Sequence, residues 1–476
     1  MPETLDPIIN LAKRRGFFFQ SAELYGGASG LLDMGPLGVE LLTNIKRLWW
    51  QRMVRERDDV VGLDSSILTP QAVLKASGHV DSFSDPLIEC SHCHIRLRAD
   101  HYLDEPEEEI WVLRWRDEAI KNRKIGVKRA EEEAGNAFQV LRSEGLRCPN
   151  CLKIGTYGEP RTFNMMFQVS LGAVENEGSV AYLRPETAQG IFTNFKTVLE
   201  TSRQKLPFGI AQIGKAFRNE ITIGNSLFRV REFEQAEIEY FVKPGQDEAA
   251  HDMWIDLCER FLLEDIGLKP ANVRRFEHAK EKLSHYSKRT VDLEYRYPFG
   301  GFGELWGIAN RTDFDLGAHQ QGSGQDLRVF DEETREKFLP YVIEPSVGLG
   351  RLMLALLVDA YEEFPQGRDG QGSELETVLH LAPGLAPYRV AVLPLMKKDG
   401  LAEKARTIHK QLRRNISSFY DDSGAVGRRY RRQDEIGTPW CVTVDYQTLE
   451  DNTVTLRDRD SMKQERVQAS TLLEHL

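Results

Sequence analysis

The sequence lacks several features that would place it in a specialised class. No apolar run approaches the roughly 20 residues of a membrane-spanning helix, which predicts a protein without a membrane span. The stretch MPETLDPIINLAKRRG begins acidic and has no hydrophobic segment of a secretion signal, so we expect a cytoplasmic protein. Six cysteines are too few for a disulfide scaffold in a chain of 476 residues. There is no internal repeat and no long low-complexity tract.

The charge balance is negative, with a net charge of -11 and a pI near 5.6. This argues against indiscriminate nucleic-acid binding, but it does not exclude a local basic surface, because steering depends on where the charges lie. The composition, 41% hydrophobic and 28% charged, is that of a soluble globular protein. The length predicts about two to four domains.

Periodicity divides the chain into regions. Apolar residues at helical spacing predict one long helix over 36–57, and residues 104–147 are highly charged and mostly helical in pattern, as in an insertion. The glycine-rich residues 365–374 are the best linker candidate. Strand and helix patterns alternate after them, which predicts a small carboxy-terminal α/β domain of about 90 residues.

The stretch FRNEITIGNSLFRVREFEQAEIE (217–239) concentrates arginines in this acidic chain. Side chains alternate along a strand, so Arg218 and Glu220 share a face of a predicted antiparallel hairpin. On its returning strand, one face carries Arg229, Arg231, Phe233, Gln235, Glu237 and Glu239. Arginine can hold a polyphosphate, phenylalanine a flat base and glutamate an ammonium group. The alternative is a surface hairpin with cross-strand ion pairs.

The stretch PSVGLGRLML places Gly348 and Gly350 at the end of a predicted strand and Arg351 at the start of a predicted apolar helix. Glycine allows close approach, and arginine can lie flat on a base. The early helix with a strand ending at Pro70, the hairpin and this stretch form an ordered set. It resembles the three signature motifs of class II aminoacyl-tRNA synthetases. The second motif, F-R-x-E, loop, R-x-x-x-F-x-x-x-E, is met by Phe217, Arg218, Glu220, Arg229, Phe233 and Glu237.

A closer resemblance extends over nearly the whole chain. The stretches RRGFFFQSAELYGGASGLLDMGPLG (14–38), YLRPETAQGIF (182–192), GELWGIANRTDFDL (303–316) and EPSVGLGR (344–351) are similar to glycyl-tRNA synthetases of the homodimeric type. This resemblance implies ATP-dependent attachment of glycine to tRNA(Gly) through a glycyl-adenylate, with release of AMP and pyrophosphate. It also implies magnesium bridging the phosphates of ATP, and a homodimer formed through the long first-motif helix.

The resemblance implies an α/β (α+β) fold. We expect a class II catalytic domain, an antiparallel sheet with helical flanks, over residues 1–85 and 161–375. A charged insertion over 86–160 interrupts it, and a mixed α/β anticodon-binding domain covers 385–476.

The resemblance also implies roles around ATP. Arg218, Glu220 and Arg351 are the expected catalytic residues: Arg218 for the α-phosphate and carboxylate, Glu220 for the adenine amino group, and Arg351 for one face of the adenine. Arg229 is expected at the γ-phosphate, and Glu304 is the carboxylate expected near magnesium. The complete predicted ATP site is Arg218, Asn219, Glu220, Phe228, Arg229, Val230, Arg231, Glu232, Phe233, Glu304, Leu305, Gly348, Leu349, Gly350 and Arg351.

Glycine offers an ammonium group, a carboxylate and no side chain. A site for it needs acids around the ammonium group and packed atoms where a Cβ would project. The predicted set is Arg98, Glu186, Phe233, Glu234, Gln235, Ala236, Glu237, Glu344, Pro345, Ser346, Val347 and Gly348. Acids gathered around a small empty cavity repel one another, which predicts raised pKa values for some of them. Alternatively, Glu186 forms a surface ion pair with Arg184, and Ser346 belongs to a turn.

Two C-x-x-C pairs flank the charged insertion: Cys90 with Cys93, and Cys148 with Cys151. Four thiolates from two such turns are typical of a closed structural zinc site. Neighbouring histidines, His92, His94 and His101, can each replace a thiolate. The alternative is a set of four reduced cysteines without metal.

The carboxy-terminal segment GRRYRRQDEIGTPWCVTVD resembles the anticodon-binding domain shared by several class II synthetases. Its four arginines, Arg428, Arg429, Arg431 and Arg432, are predicted to contact tRNA phosphates, and Tyr430 can stack on an unpaired base. On charge alone, a solvated loop is the commoner outcome.

Two other functions compete with glycine activation. A sister synthetase for threonine, proline or histidine shares the carboxy-terminal domain type, but Glu186, Glu344 and GFFFQSAELYGG speak against it. A non-catalytic synthetase-like protein that binds nucleic acid or regulates another enzyme would be expected to lose the ATP arginines. Here Arg218, Glu220, Arg229 and Arg351 all remain.

Overall fold

The structure is a computed structural model that describes residues 2–103, 108–172, 179–221, 223–284, 286–368 and 374–476. Its helices are α1 Asp6–Arg15, α2 Pro36–Trp50, α3 Gln71–Ala76, α4 His79–Ser82, α5 Glu108–Arg123, α6 Val127–Glu144, α7 Ala188–Ser202, α8 Asp247–Arg260, α9 Phe314–Ser323, α10 Leu349–Ala360, α11 Leu401–Leu412, α12 Val426–Asp434, α13 Tyr446–Asp451 and α14 Leu472–His475.

The strands of the first two thirds are β1 Phe18–Gln20, β2 Leu32–Met34, β3 Val60–Gly62, β4 Leu68–Pro70, β5 Ser84–Glu89, β6 Arg96–Arg98, β7 Arg161–Asn164, β8 Phe167–Ser170, β9 Val180–Leu183, β10 Phe208–Phe217, β11 Glu232–Val242, β12 Val273–Glu277, β13 Arg289–Tyr297 and β14 Gly301–Thr312. They are followed by β15 Val329–Phe330, β16 Lys337–Phe338, β17 Tyr341–Gly348, β18 Tyr361–Phe364, β19 Glu376–Leu379, β20 Val390–Pro394, β21 Ser418–Tyr420, β22 Trp440–Val444, β23 Thr453–Asp458 and β24 Gln464–Gln468.

A seven-stranded sheet forms the centre, in the order β12-β13-β14-β17-β11-β10-β3. Every neighbouring pair is antiparallel except β10 with β3. Helices α2, α8 and α10 pack their apolar side chains against one face of this sheet. The predicted class, an antiparallel sheet with helical flanks, is confirmed.

Strand β11 shows why this sheet has two chemically different faces. Ala236, Ile238 and Tyr240 are buried in the core with the helices. Because side chains alternate along a strand, Gln235 and Glu237 project to the opposite face. Their paired positions on β17, Gly348 and Ser346, lie on that face too. The predicted hairpin is therefore present as β10 and β11, joined by the loop 218–231.

The predicted long helix is α2, which continues as a π-helical turn over Gln51–Arg55. Its apolar stripe, Leu41, Ile45 and Trp49, is fully buried. Gly38 allows the helix to approach β1, because a Cβ at this position would lie 1.8 Å from the carbonyl oxygen of Phe17.

The predicted insertion has its own sheet and core. Strands β6, β5 and β7 form a three-stranded sheet that reaches from Ser84 to Asn164, slightly beyond the predicted 86–160. The charged segment folds into the contacting helices α5 and α6, with Trp111 and Trp115 buried beside Ala134.

The carboxy-terminal region is a five-stranded sheet in the order β21-β20-β22-β23-β24, with parallel and antiparallel pairs. Helix α11 packs Ala405 and Ile408 against it, as the alternating pattern predicted. The predicted linker, 365–374, lies between the paired strands β18 and β19, and its residues 369–373 lie outside the described part of the chain. Within the described ranges, no helix is both long and apolar enough to cross a membrane.

Candidate active site

A cavity of about 260 Å³ opens on the face of the central sheet that the core helices leave uncovered. Strands β11, β14 and β17 form its floor, and the loop 218–231 and the start of α10 form its rim. Its lining includes many of the predicted residues: Glu186, Arg218, Glu220, Phe228, Arg229, Val230, Phe233, Gln235, Glu237, Glu304, Glu344, Ser346, Gly348, Gly350 and Arg351.

Arginines line one end of this cavity. The guanidinium of Arg218 lies 5.4 Å from the ring centre of Phe233, and its Nε donates to the carbonyl oxygen of Pro185 at 3.0 Å. Arg351 lies 4.5 Å from the ring centre of Phe228. Cations held in this way by rings and carbonyl groups can receive phosphates with little reorganisation.

Acidic residues among these arginines limit the local repulsion. The carboxylate of Glu304 accepts from Arg351 at 3.0 Å, and the positive charge of Arg351 lowers the pKa of Glu304. Glu220 lies 4.0 Å from Arg229, whose own pKa is lowered by burial. This end therefore carries both cations and carboxylates, as the hairpin pattern predicted.

Acids predominate at the other end. Glu237 accepts a hydrogen bond from the hydroxyl of Thr187, and it lies opposite Ser346 in the β11–β17 register. Glu186 accepts from Gln189 at 3.0 Å. Residues that are predicted to bind the substrate glycine, from three separate segments of the sequence, therefore come together here.

Two of the three predicted acids have raised pKa values. Burial raises the pKa of Glu344 to about 8, and burial together with the nearby Glu186 raises the pKa of Glu237. Burial also acts to raise the pKa of Glu186, but His79 and Arg311 outweigh it and hold that pKa well below the usual range. The expected mutual repulsion is therefore relieved at Glu186 by its neighbours His79 and Arg311.

Arg311 supplies a positive charge at the acidic end, and it is not among the site residues predicted from the sequence. Its guanidinium is 2% exposed and donates to Glu344 at 2.5 Å and to Asp315 at 2.7 Å. It also lies 3.9 Å from the ring centre of Tyr286. Arg311 lies near the end of strand β14 and Asp315 lies in helix α9, so no periodic spacing in the sequence marks Arg311 as a site residue. Other lining residues that were missed are Leu227, Ser284, Tyr286, Thr290, Asp292, Gly307 and Ala309.

Three predicted site residues around the start of β11 point elsewhere. Glu232 pairs with Lys215, and Glu234 pairs with Lys46 at 2.6 Å, because even-numbered side chains of this strand project away from the cavity. Arg231 lies before the strand, which begins at Glu232, and donates to the carbonyl oxygen of Ser29 at 2.7 Å. In this structure, these three side chains therefore face away from the cavity, and their roles in binding stay predictions.

Other predicted positions contribute backbone or packing instead of polar side chains. Asn219 donates its backbone N–H to Met165 at 2.7 Å. Four apolar residues belong to the buried core: Ala236, Leu305, Val347 and Leu349. Pro345 is also buried, at a position within strand β17. Arg98 pairs with Asp85 at 2.9 Å and Asp100 at 2.6 Å, and it is not among the cavity-lining residues.

Comparisons with known proteins identify the family to which the chain belongs. The family model for the tRNA synthetase class II core domain (G, H, P, S and T) matches residues 167–360, and an anticodon binding domain model matches residues 389–476. A glycine–tRNA ligase of Streptomyces coelicolor is 53% identical over 98% of this chain and 96% of its own length. A glycine–tRNA ligase of Thermobifida fusca is 51% identical over 100% of this chain and 97% of its own.

The chain belongs to the glycine–tRNA ligase family. The class II core model covers the second and third motif stretches, 217–239 and 344–351. The anticodon binding domain model covers every strand of the carboxy-terminal sheet.

In this member of the glycine–tRNA ligase family, the four predicted cysteines converge. The Sγ atoms of Cys90 and Cys151 are 3.7 Å apart, and those of Cys93 and Cys148 are 3.6 Å apart. All four Sγ atoms lie within 4.8 Å of one another. None of the neighbouring histidines belongs to the cluster that the described residues form.

The four predicted RNA-contacting arginines of α12 and its surroundings differ in exposure. Arg428 and Arg431 are exposed, and Arg431 pairs with Glu374 at 2.7 Å. Arg432 is half-buried and pairs with Asp421 at 2.5 Å. Arg429 is 1% exposed and donates to the carbonyl oxygen of Pro394 at 2.6 Å, so the prediction of an RNA contact is wrong for Arg429 in this structure.

Loss of the Arg311 cation should destabilise the protein. In Arg311→Met, Asp315 loses its buried partner and Glu344 loses its nearest cation, and breaking such a buried pair costs about 3–5 kcal/mol. We expect urea denaturation to show that decrease in the free energy of unfolding. The control is Arg328→Met, which removes an exposed arginine paired with Asp326 and should change stability by about 0–1 kcal/mol. Equal losses in both variants would contradict this account of Arg311.

Proposed function

We propose that the protein attaches glycine to tRNA(Gly) in two steps that use ATP. The observation that carries this proposal is one continuous cavity with arginines at one end and acids at the other. The arginine end matches the triphosphate and the base of ATP, and the acidic end matches the ammonium group of a small amino acid. Membership in the glycine–tRNA ligase family supports the same substrates.

In the first proposed step, a carboxylate oxygen of glycine attacks the α-phosphorus of ATP, and the bond to the bridging oxygen of pyrophosphate breaks. Negative charge develops on the phosphate oxygens, so fixed cations and correct positioning provide most of the acceleration. We assign Arg218 to the α-phosphate and the glycine carboxylate, Arg229 to the γ-phosphate and Glu220 to the adenine amino group. We place the adenine beside Phe233 and Arg351.

In the second proposed step, a hydroxyl of the terminal tRNA nucleotide attacks the glycyl carbonyl carbon. An ester bond forms, AMP leaves with the electron pair of the broken bond, and the hydroxyl proton passes to a phosphate oxygen or to solvent. This chemistry requires no protein nucleophile, because the adenylate is already activated.

Selectivity for glycine follows from the shape and charge of the acidic end. We propose that Glu186, Glu237 and Glu344 surround the ammonium group and that Ser346 and Gln235, which are hydrogen-bonded at 3.2 Å, close the adjacent wall. A larger amino acid would overlap with packed backbone and side chains, which is costly in a dense interior. Rejection by steric overlap reduces the need for an editing site.

Magnesium would be held mainly by the phosphates of ATP, where it neutralises charge that develops on the leaving pyrophosphate. Glu304 is the carboxylate we propose beside it, because it lines the cavity next to Arg351. Asp292 and Glu220 line the same cavity. Few protein carboxylates are expected around magnesium when phosphates supply the remaining ligands.

We also propose a structural zinc ion at the four cysteines. A tetrahedral site with Zn–S bonds of about 2.3 Å requires sulfur atoms about 3.8 Å apart. The separations of 3.6 and 3.7 Å between the paired thiol sulfur atoms fit that requirement. The cluster lies at one end of the insertion, where Trp115 donates to the carbonyl oxygen of Arg147 at 2.7 Å and connects it to α5.

The remaining proposals concern assembly and location. We propose the division into 1–85 with 161–375, 86–160 and 385–476 as catalytic domain, insertion and anticodon-binding domain. We propose a homodimer through the surface around α2, since Leu24, Tyr25 and Val39 near it are 98%, 92% and 49% exposed. Because charging serves translation, we propose that the protein works in the cytoplasm.

The proposed function is tested by ATP–pyrophosphate exchange with each of the twenty amino acids, followed by charging of total tRNA. We expect exchange with glycine only, and a decrease of at least about 100-fold in Arg351→Ala, because a preorganised cation is lost. Arg328→Ala, which removes an exposed arginine outside the cavity, should exchange at the unchanged rate. Exchange that is equally fast with alanine, or without any amino acid, would contradict the proposal.

Exposed arginines of the carboxy-terminal region should act on tRNA and not on adenylate formation. In the double variant Arg428→Gln and Arg431→Gln, we expect the KM for tRNA to rise about tenfold, because phosphate contacts are lost. ATP–pyrophosphate exchange should stay unchanged, since it needs no tRNA. Equal loss of both activities would count against an RNA-binding role for these residues.

Removal of zinc should unfold the insertion. Metal analysis of protein purified without chelators should give about one zinc ion per chain, and extraction with a strong chelator should lower the melting temperature, since structural zinc contributes directly to folding. Cys148→Ser should bind less zinc, whereas Cys258→Ser, at a buried cysteine outside the cluster, should bind the normal amount. Protein that contains no metal as purified would overturn the zinc proposal.

A further inference from the structure

Glu239 is a fully buried acid that lies behind Glu237 and Glu344 at the acidic end and does not itself line the cavity. Its side chain is 0% exposed, and both carboxylate oxygens are buried without a hydrogen-bond partner among the described residues. It was predicted on the same face of the hairpin as Glu237, and the strand alternation puts it there. The two-step reaction proposed above assigns no role to Glu239.

Its surroundings are mostly acidic. The register between Glu237–Ser346 and Tyr240–Ile343 sets Glu239 opposite Glu344 on β17. Carboxylate oxygens of Glu237, Glu239 and Glu344 all lie within 4.8 Å of one another. The charged groups that face this cluster are Glu186 before α7, Arg311 at the end of β14 and Asp315 in α9.

Three carboxylates this close cannot all be ionised in a buried site. Ionisation of one raises the pKa of the others, and an ionised carboxylate without a donor is strongly disfavoured away from water. Arg311 supplies one positive charge, but it is already shared between Glu344 and Asp315. The same causes appear in the shifts: burial, and then Glu344 and Glu237, raise the pKa of Glu239 well above its usual value.

We propose that Glu239 is a positioning residue for the amino group of glycine: with Glu237 and Glu344 it retains a proton while the pocket is empty, and this proton leaves when the ammonium group binds. The inference rests on the proposed function, which places glycine in this pocket. Glycine enters with its ammonium group charged and donates N–H hydrogen bonds to Glu237 and Glu344, the two members of the cluster that line the cavity. One carboxyl O–H bond breaks, and its proton passes to solvent, so charge and protons balance.

This exchange explains how an acid-rich pocket stays folded when it is empty. A permanently ionised cluster would repel itself, whereas a fully neutral cluster would attract an ammonium group weakly. The retained proton reduces the repulsion within the empty cluster. Its release on binding gives the cluster the negative charge that attracts the ammonium group. Glu239 acts on the substrate through the charge of Glu237 and Glu344, which lie beside it.

The exchange has a defined pH dependence. Because binding releases a proton, the affinity for glycine should rise with pH, by up to tenfold per pH unit for one proton. The rise should end at the pH where the empty pocket has already lost its proton, which lies above the ordinary range of a glutamate because burial raises the pKa of both Glu239 and Glu344. The groups of the ATP end do not contribute when glycine binds without nucleotide.

Calorimetry of glycine binding to the full-length protein at pH 7 tests this inference. Titrations in two buffers with different ionisation enthalpies give the number of protons released, and we expect about one for the wild type. In Glu239→Gln, where an amide replaces the neutral acid, glycine should still bind but release at most half as many protons. The control, Glu277→Gln on β12 outside the cavity, should release the wild-type number.

A second measurement uses the wild-type protein alone and does not depend on how the variant folds. The infrared carbonyl band of a protonated carboxyl group should lose intensity when glycine is added. Glycine binding without proton release, or an unchanged proton count in folded Glu239→Gln, would overturn the inference. Absence of glycine binding together with absence of glycine-dependent pyrophosphate exchange would overturn the proposed function instead.

Discussion

The antiparallel pairing of β11 with β17 is the constraint on which the site depends. This pairing sets Glu237 opposite Ser346 and Gln235 opposite Gly348, so two distant segments share one face. The same strands direct Ala236 and Val347 into the core, and the burial of these two side chains stabilises the register. A slip of one residue would exchange these faces, which would bury the polar side chains and expose the apolar ones. Site geometry and core stability therefore have the same cause.

The charged side chains on this face are divided between its two ends, and the acidic end contains few cations. Arg311 is the buried arginine that contacts Glu344 there, and Asp315 and the ring of Tyr286 fix its orientation. At the other end, Arg218, Arg229 and Arg351 are spaced by rings and by single carboxylates. In the reaction that we propose, the amino acid and the nucleotide each meet the opposite charge in this arrangement, and their reacting groups come together between the two ends. Binding and orientation then account for most of the chemistry that we propose.

Local patterns predicted the features that alternate or repeat. The strand period placed Phe233, Gln235 and Glu237 on one face correctly, and helical spacing predicted α2. The same alternation directs Glu232 and Glu234 away from that face, although both belong to the contiguous motif. Arg429 illustrates another limit, since only the folded domain brings its guanidinium to the carbonyl group of Pro394. Arg311 and Tyr286 approach the site through long-range contacts, which spacing along the chain does not reveal.

The central claim is that the two ends form a single site with room for an amino acid that has no side chain. The most direct measurement is calorimetric binding of a non-hydrolysable glycyl-adenylate analogue, compared with its alanyl counterpart and with AMP. The account predicts that the glycyl analogue binds at least about 100-fold more tightly than either, a difference of about 2.7 kcal/mol. Equal affinity for the glycyl and alanyl analogues, or no gain over AMP, would contradict it.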